Sequence, residues 1–183
     1  RSMVRLDGLL KMVNDLLDIS RMELKTVHRE IKKVCLHEII ISILELFQID
    51  ISKKGLQVIF DKDSSAHCIN ADSDEISRLF TNLISNAIKY NRDQGIININ
   101  LYQSDNYVVT EIKDSGIGLK PEDKQKLFSE FFRAKNEKTK NISGTGLGLS
   151  IVKRIVDSYS GKIEVESEFG EGTTFKVFLP TII

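Results

Sequence analysis

Asn82 and Asn86 stand four residues apart, and Lys89 lies three further on, in the run Asn82-Leu-Ile-Ser-Asn86-Ala-Ile-Lys89-Tyr90-Asn91. On a helix these three side chains share one face. Asparagine is a poor residue for a helix interior, so two of them ask for a reason. One reason is chemistry: amide oxygens are ligands for a hard cation such as Mg²⁺, and an ammonium neutralises phosphate. The other is a plain solvated face. Asp114-Ser115-Gly116-Ile117-Gly118 places a carboxylate beside two glycines, which let backbone approach a ligand closely. That pattern also suits a calcium loop or an ordinary turn. Gly144-Thr145-Gly146-Leu147-Gly148-Leu149-Ser150 opens a predicted helix, where free N–H groups attract anions. It lacks the preceding strand of a dinucleotide fingerprint and the Gly-Lys-Ser/Thr of a P-loop. Gly170-Glu171-Gly172-Thr173-Thr174-Phe175 reads by itself as a strand turn.

The elements that must carry these residues follow from hydrophobic period. Leu6, Leu9, Leu10, Val13, Leu16 and Leu17 form one apolar stripe, predicting a long amphipathic helix over Met3 to Thr26 that needs a partner. A strand is expected over Arg29 to Leu36, a helix over His37 to Lys53, and short strands over Leu56 to Phe60 and His67 to Ala71. Asp72 caps the next helix, which runs to Asn91. A hairpin follows over Ile96 to Tyr102 and Tyr107 to Lys113. Next come a long connection with one short helix at Pro121 to Phe128, a helix over Leu147 to Tyr159, and closing strands over Lys162 to Glu168 and Thr173 to Leu179. Intermixed helices and strands predict an α+β fold: a two-layer α/β sandwich, its mixed, mostly antiparallel sheet covered on one face by three helices and preceded by the N-terminal helix.

The chain has 183 residues, 41% hydrophobic and 28% charged, a soluble globular composition. Lys+Arg and Asp+Glu are both 26, so the balance gives no support to nucleic acid as a bulk partner. The three histidines and two cysteines lack metal-ligand spacing. Cys35 and Cys68 are expected to be buried, reduced thiols.

The order of the motifs resembles the catalytic region of sensor histidine kinases: the Asn-rich helix, D-x-G-x-G, Phe128-Ser-Glu-Phe131-Phe132-Arg133, G-T-G-L-G-L, then G-E-G-T-T-F. Their Bergerat ATP-binding fold is shared with DNA gyrase and the large heat-shock chaperone ATPases. The resemblance runs from about Leu36 to Pro180. Helix Met3 to Thr26, ending Leu16-Leu17-Asp18-Ile19-Ser20-Arg21, is similar to the second helix of the family's dimerisation hairpin. Residues 1–30 are therefore expected to be half of that hairpin, and 31–183 the ATP-binding domain.

The resemblance implies ATP and Mg²⁺ as cofactors. Asp114 would accept a hydrogen bond from the adenine amino group, framed by Gly116 and Gly118. Asn86 would ligate Mg²⁺, with Asn82 and Lys89 near the phosphates and Tyr90 at the sugar or base. Arg133 would reach the γ-phosphate. Gly144, Thr145, Gly146, Leu147 and Gly148 would cradle phosphates. Leu119 to Ser143 would form a lid anchored by Phe128, Phe131 and Phe132, and Thr174 would add a contact from the closing strand. The implied enzyme is a protein-histidine kinase, paired with a phosphoacceptor-histidine helix of the same or a partner chain, a response regulator, and a second copy in a homodimer. Its setting would be a cytoplasmic domain, with the full-length protein anchored at the bacterial inner membrane.

Two departures matter. The family's acceptor sequence, a His followed by an acid with a Pro downstream, is missing. His28 lies at the wrong end of the helix, neither His37 nor His67 is in that context, and the only prolines are Pro121 and Pro180. This chain is therefore expected not to phosphorylate itself. Asn82 also stands where hydrolytic relatives carry a Glu, and an amide is no general base. That argues against a hydrolytic ATPase. A non-catalytic nucleotide-gated interaction module is the remaining alternative.

Overall fold

The computed structural model describes residues 9–10, 12–17, 20, 29–60, 67–134, 139–140, 142 and 144–181. Five strands form the main sheet in the order β2-β4-β5-β7-β6: β2 (Gln57–Phe60), β4 (Ile96–Ser104), β5 (Tyr107–Asp114), β7 (Gly172–Pro180) and β6 (Lys162–Glu168). Only β2 and β4 run parallel. A parallel pair needs a crossover, which α3 (Ser73–Lys89) supplies. A separate two-stranded ribbon pairs β1 (Lys32–Cys35) with β3 (Cys68–Ala71). The sandwich expected from the sequence is thus observed.

The helices α1 (Leu36–Leu46), α3 and α5 (Gly148–Ser158) supply the second layer, with α2 (Gln48–Lys54) and α4 (Pro121–Lys124) as short connectors. Ile76, Leu79, Phe80, Leu83 and Ile84 of α3 are fully buried against Ile97, Ile112 and Ile151 in one core. The expected helix over His37 to Lys53 is two helices, broken at Phe47. Gly55, at φ +64, ends the second. The short helix expected at Pro121 to Phe128 stops at Lys124 and continues as turns.

The expected helix Met3 to Thr26 lies mostly outside the described residues. Residues 9–10 and 12–17 are helical. Leu9, Leu10, Val13, Leu16 and Leu17 of its apolar stripe are exposed. Among the described residues no helix is long and apolar enough to cross a membrane. The expectation of reduced thiols fails: Cys35 and Cys68 form a disulfide. They are directly opposed in the β1–β3 ribbon, a pairing that cannot be read before the register is known.

Candidate functional site

A cleft opens between α3, the end of β5, the segment 117–134 and the loop that enters α5. Strand period builds its inner wall. Val108, Thr110, Ile112 and Asp114 alternate onto the helix-covered face of β5, so the last of them is a carboxylate buried in line with two aliphatic residues and a threonine. Asp114 Oδ1 accepts from the Gly116 N–H at 2.8 Å and the Thr173 N–H at 3.3 Å. Its Oδ2 makes no hydrogen bond among the described residues and belongs to a side chain lining the cleft. Burial pushes the Asp114 pKa up to about 6, against the lowering effect of those two N–H donors.

Gly116 packs behind this carboxylate. A Cβ there would stand 2.2 Å from the Tyr90 carbonyl oxygen, so only glycine lets the turn pass beneath the end of α3. The Ile117 N–H donates to that same carbonyl. Asn91 and Ser115 complete the joint: Ser115 Oγ donates to Asn91 Oδ1 at 3.2 Å and accepts from the Ile96 N–H at 2.8 Å. Lys54 Nζ caps the same helix end, donating to the carbonyls of Ile88, Lys89 and Asn91. Burial holds its pKa below the usual lysine range, with Asp93 pulling the other way.

The opposite end of α3 is fixed as firmly. Asp72 Oδ1 accepts from the N–H groups of Asp74 and Glu75, the N-cap expected from the sequence. Tyr159, at the end of α5, donates to Glu75 Oε2 at 2.6 Å and accepts from the Asp72 N–H. Arg29 bonds Glu75 Oε1 at 2.9 Å. The two helices flanking the cleft are thereby held together by one buried carboxylate.

Asn82, Asn86, Lys89 and Tyr90 all line the cleft. The Asn82 amide nitrogen donates to the Arg78 carbonyl, which turns its oxygen toward α5. A Cβ on Gly148 would meet that oxygen at 2.7 Å, so this glycine is required by helix packing. Gly118, Phe132, Arg133, Gly144, Thr145 and Gly146 also line the cleft. Arg133 donates to the Ile142 carbonyl within its own loop. Thr145 Oγ1 donates to Asp15 Oδ2 at 2.9 Å, bringing the N-terminal helical segment against the cleft mouth.

Three predicted residues stand elsewhere. Gly116 lies behind the wall. Leu147 is wholly buried in the core beneath the loop. Thr174 pairs with Lys113 and Glu166, and strand alternation turns it from the cleft; its neighbour Thr173 lines the cleft instead. Of the three expected lid anchors, Phe132 lines the cleft and Phe128 packs on the core, but Phe131 is exposed at φ +59. Leu127 provides the buried contact. The lysine run from Lys135 lies mostly outside the described residues. Sequence reasoning missed Thr173, Lys54, Ser115 and Leu127. The alternation of β7 was the one available signal, for Thr173.

A family model described as histidine kinase-, DNA gyrase B-, and HSP90-like ATPase matches residues 71–183. The chain belongs to that family. It is 32% identical over 178 residues to the autoinducer 2 sensor kinase/phosphatase LuxQ of Vibrio cholerae, covering 95% of the chain and 21% of LuxQ. The catalytic domain of histidine kinase ThkA, solved nucleotide-free, superposes with a TM-score of 0.72 at 32% identity, covering 83% of this chain and 96% of that one. Full-length ShkA in complex with AMPPNP gives a TM-score of 0.81 at 25% identity, covering 96% of this chain and 36% of that one. ThkA solved with its response regulator TrrA gives 0.76 at 28% identity, covering 98% of this chain and 49% of that one. The chain spans 21% to 27% of the first curated relatives it matches. It is thus an ATPase-family domain of the kind found in sensor histidine kinases.

The donor set suits one role for a metal. Among the described residues no group of three or more His, Cys, Asp or Glu side chains stands together as a cage. The Asn86 amide has no hydrogen-bond partner among the described residues and offers a hard oxygen in the cleft. A single amide oxygen fits Mg²⁺, which keeps waters and takes most other ligands from phosphate.

Proposed function

We propose that the domain binds Mg·ATP in this cleft and hands the γ-phosphate to a histidine carried by a helix outside this chain. The observation that carries the reading is the buried Asp114 carboxylate, held by two N–H donors with its second oxygen uncommitted. Such an oxygen selects an exocyclic amino group. Guanine presents a carbonyl there, and leaving the carboxylate unpaired costs about 1–3 kcal/mol, a five- to 150-fold preference for adenine. Gly118 and Tyr90 bound the base, and Thr173 fixes the carboxylate's orientation.

At the other end Asn86 would hold Mg²⁺, and the ion would supply neutralisation of charge on the phosphates. Lys89 contacts phosphate, Asn82 lies on the same face, and Gly144, Thr145 and Gly146 close over the chain of phosphates. Arg133 leaves the Ile142 carbonyl to meet the γ-phosphate, compensating charge in a loose transition state. The proton of an attacking water has no carboxylate to receive it at position 82, so transfer to a protein side chain is favoured over hydrolysis. The acceptor is the histidine on the first helix of the dimerisation hairpin, in the same or a partner copy of the full-length kinase, and residues 1–30 are the hairpin's second helix. A response regulator takes the phosphoryl group next, in a homodimeric parent anchored at the inner membrane with this domain in the cytoplasm. The ThkA complex with a response regulator supports, by similarity, a response regulator as a partner.

The test supplies a histidine-bearing hairpin in trans with Mg²⁺ and γ-labelled ATP. Acid-labile label on the hairpin histidine is expected. Tight binding with no transfer points instead to a nucleotide-gated module, and rapid phosphate release without acceptor to a hydrolytic enzyme.

A further inference from the structure

We infer that Cys35 and Cys68 are a reversible redox modification site, closed by a low-molecular-weight disulfide and opened by the matching thiol. The two residues are directly opposed across the β1–β3 ribbon, with Cα atoms 4.0 Å apart and a separation of 33 in sequence. The ribbon has only four residues in each strand and stands apart from the main sheet. Both cysteines are half-buried, so a small thiol reagent can reach them.

The surroundings favour exchange. Cys35 is the N-cap of the 11-residue α1, in an extended conformation and with no side-chain capping bond. Once reduced, its sulfur stands at the positive end of that helix, whose first N–H, that of Leu36, is already bonded to the His67 carbonyl; Glu38 in the first turn opposes a negative charge there in part. Where thiols are kept reduced, protein disulfides are usually redox-sensing or transient.

The chemistry balances. The Cys35 thiolate attacks one sulfur of RSSR, its S–S bond breaks, and RS⁻ leaves with the proton that Cys35 lost. The Cys68 thiol then loses its proton and attacks the Cys35 sulfur of the mixed disulfide. The second RS⁻ leaves and takes that proton. Two protein thiols are oxidised by two electrons, and RSSR is reduced to two RSH.

The ribbon joins the N-terminal segment to α3. Before β1, the Glu30 N–H donates to Asp72 Oδ2 at 2.9 Å, and β3 leads directly into the Asp72 cap. Neither cysteine lines the cleft. Closure therefore stiffens this entry and leaves nucleotide contacts alone, which makes the inference independent of the nucleotide reading.

The test equilibrates the chain anaerobically over a series of glutathione to glutathione-disulfide ratios, quenches in acid, alkylates free thiols and counts them by mass. The expected result is one two-electron transition from two alkylated thiols to none, with its midpoint inside the series. The oxidised form should melt about 10 °C higher, as a closed loop of this length implies. ATP affinity should change less than twofold. In C35S and C68S the melting temperature should no longer follow the ratio. Two free thiols at every ratio, a disulfide that excess glutathione never opens, or glutathione adducts alone would each overturn the inference. The wild-type titration decides even if a variant fails to fold.

Discussion

At one end of the cleft Asp114 is buried with two N–H bonds and a glycine packed behind it; at the other, no described residue beyond its chain neighbours comes within 4 Å of where a Gly144 Cβ would stand. The inner end is fixed by strands β5 and β7 and by the cap that Lys54 places on α3. The outer end is loop, and Arg133 there bonds only to the carbonyl of Ile142 among the described residues. Under the proposed function the contrast separates two tasks. Base recognition needs an unpaired polar atom kept in a low-dielectric place, which only a preorganised wall can hold. Phosphate handling needs groups that can change partners as charge moves.

The largest effect should come from the fixed end. In Asp114→Asn, Oδ1 keeps its two N–H donors, so the new NH₂ faces the adenine amino group, donor against donor. ATP affinity should fall by one to two orders of magnitude, an estimate of about 1–3 kcal/mol for a lost buried partner, with the melting temperature kept within a few degrees. Calorimetric titration checks both. Equal affinity in the variant would remove the distinction between the ends.

Asn86→Ala comes next. Affinity should drop about tenfold with Mg²⁺ present and little when the metal is chelated. Loss of the same size in both conditions would make Asn86 a packing residue.

Gly148→Ala sharpens the comparison from the side of stability. Its Cβ would press on the Asn82 oxygen, so a loss of about 1–3 kcal/mol is expected in denaturant unfolding. Gly144→Ala meets nothing among the described residues and should unfold like the wild type, while nucleotide binding weakens a few-fold. If both glycine variants behave alike, the loop is not divided as described.

The smallest effect is in pH. The Asp114 pKa is raised in the folded chain to about 6. Folded protein therefore binds more protons than unfolded between about pH 4 and 6. The stability this group contributes is complete below its unfolded pKa and is lost as pH rises through 6. Nucleotide binding runs the other way, because the ionised carboxylate is the better acceptor. ATP affinity should decline as pH drops below 6, and the decline should flatten in Asp114→Asn.

Much of this was legible in the sequence because period fixes local structure. The spacing of Ile76, Leu79, Phe80 and Leu83 set α3, and Asn82 and Asn86 followed onto its cleft side. Asp114 was legible from its glycines. What escaped depends on pairing between distant segments. Thr173 acts through its backbone N–H, which is invisible until β7 is placed beside β5. Cys35 and Cys68 read as separate apolar thiols until β1 and β3 are seen in register. Lys54 carries no local signal in the sequence, and only the fold brings three carbonyls at the end of α3 to its ammonium. Leu147 was assigned to the phosphate loop from its neighbours, although its side chain is core. Phe131 was grouped with Phe128 and Phe132, but a left-handed turn points it outward.

Competition between ATP and GTP for the cleft, measured in the wild type and in Asp114→Asn, tests the central claim most directly. The wild type should prefer ATP by at least fivefold, and the variant should lose most of that preference by weakening ATP alone. Equal binding of both nucleotides to the wild type, or a preference that survives the substitution, would contradict the account.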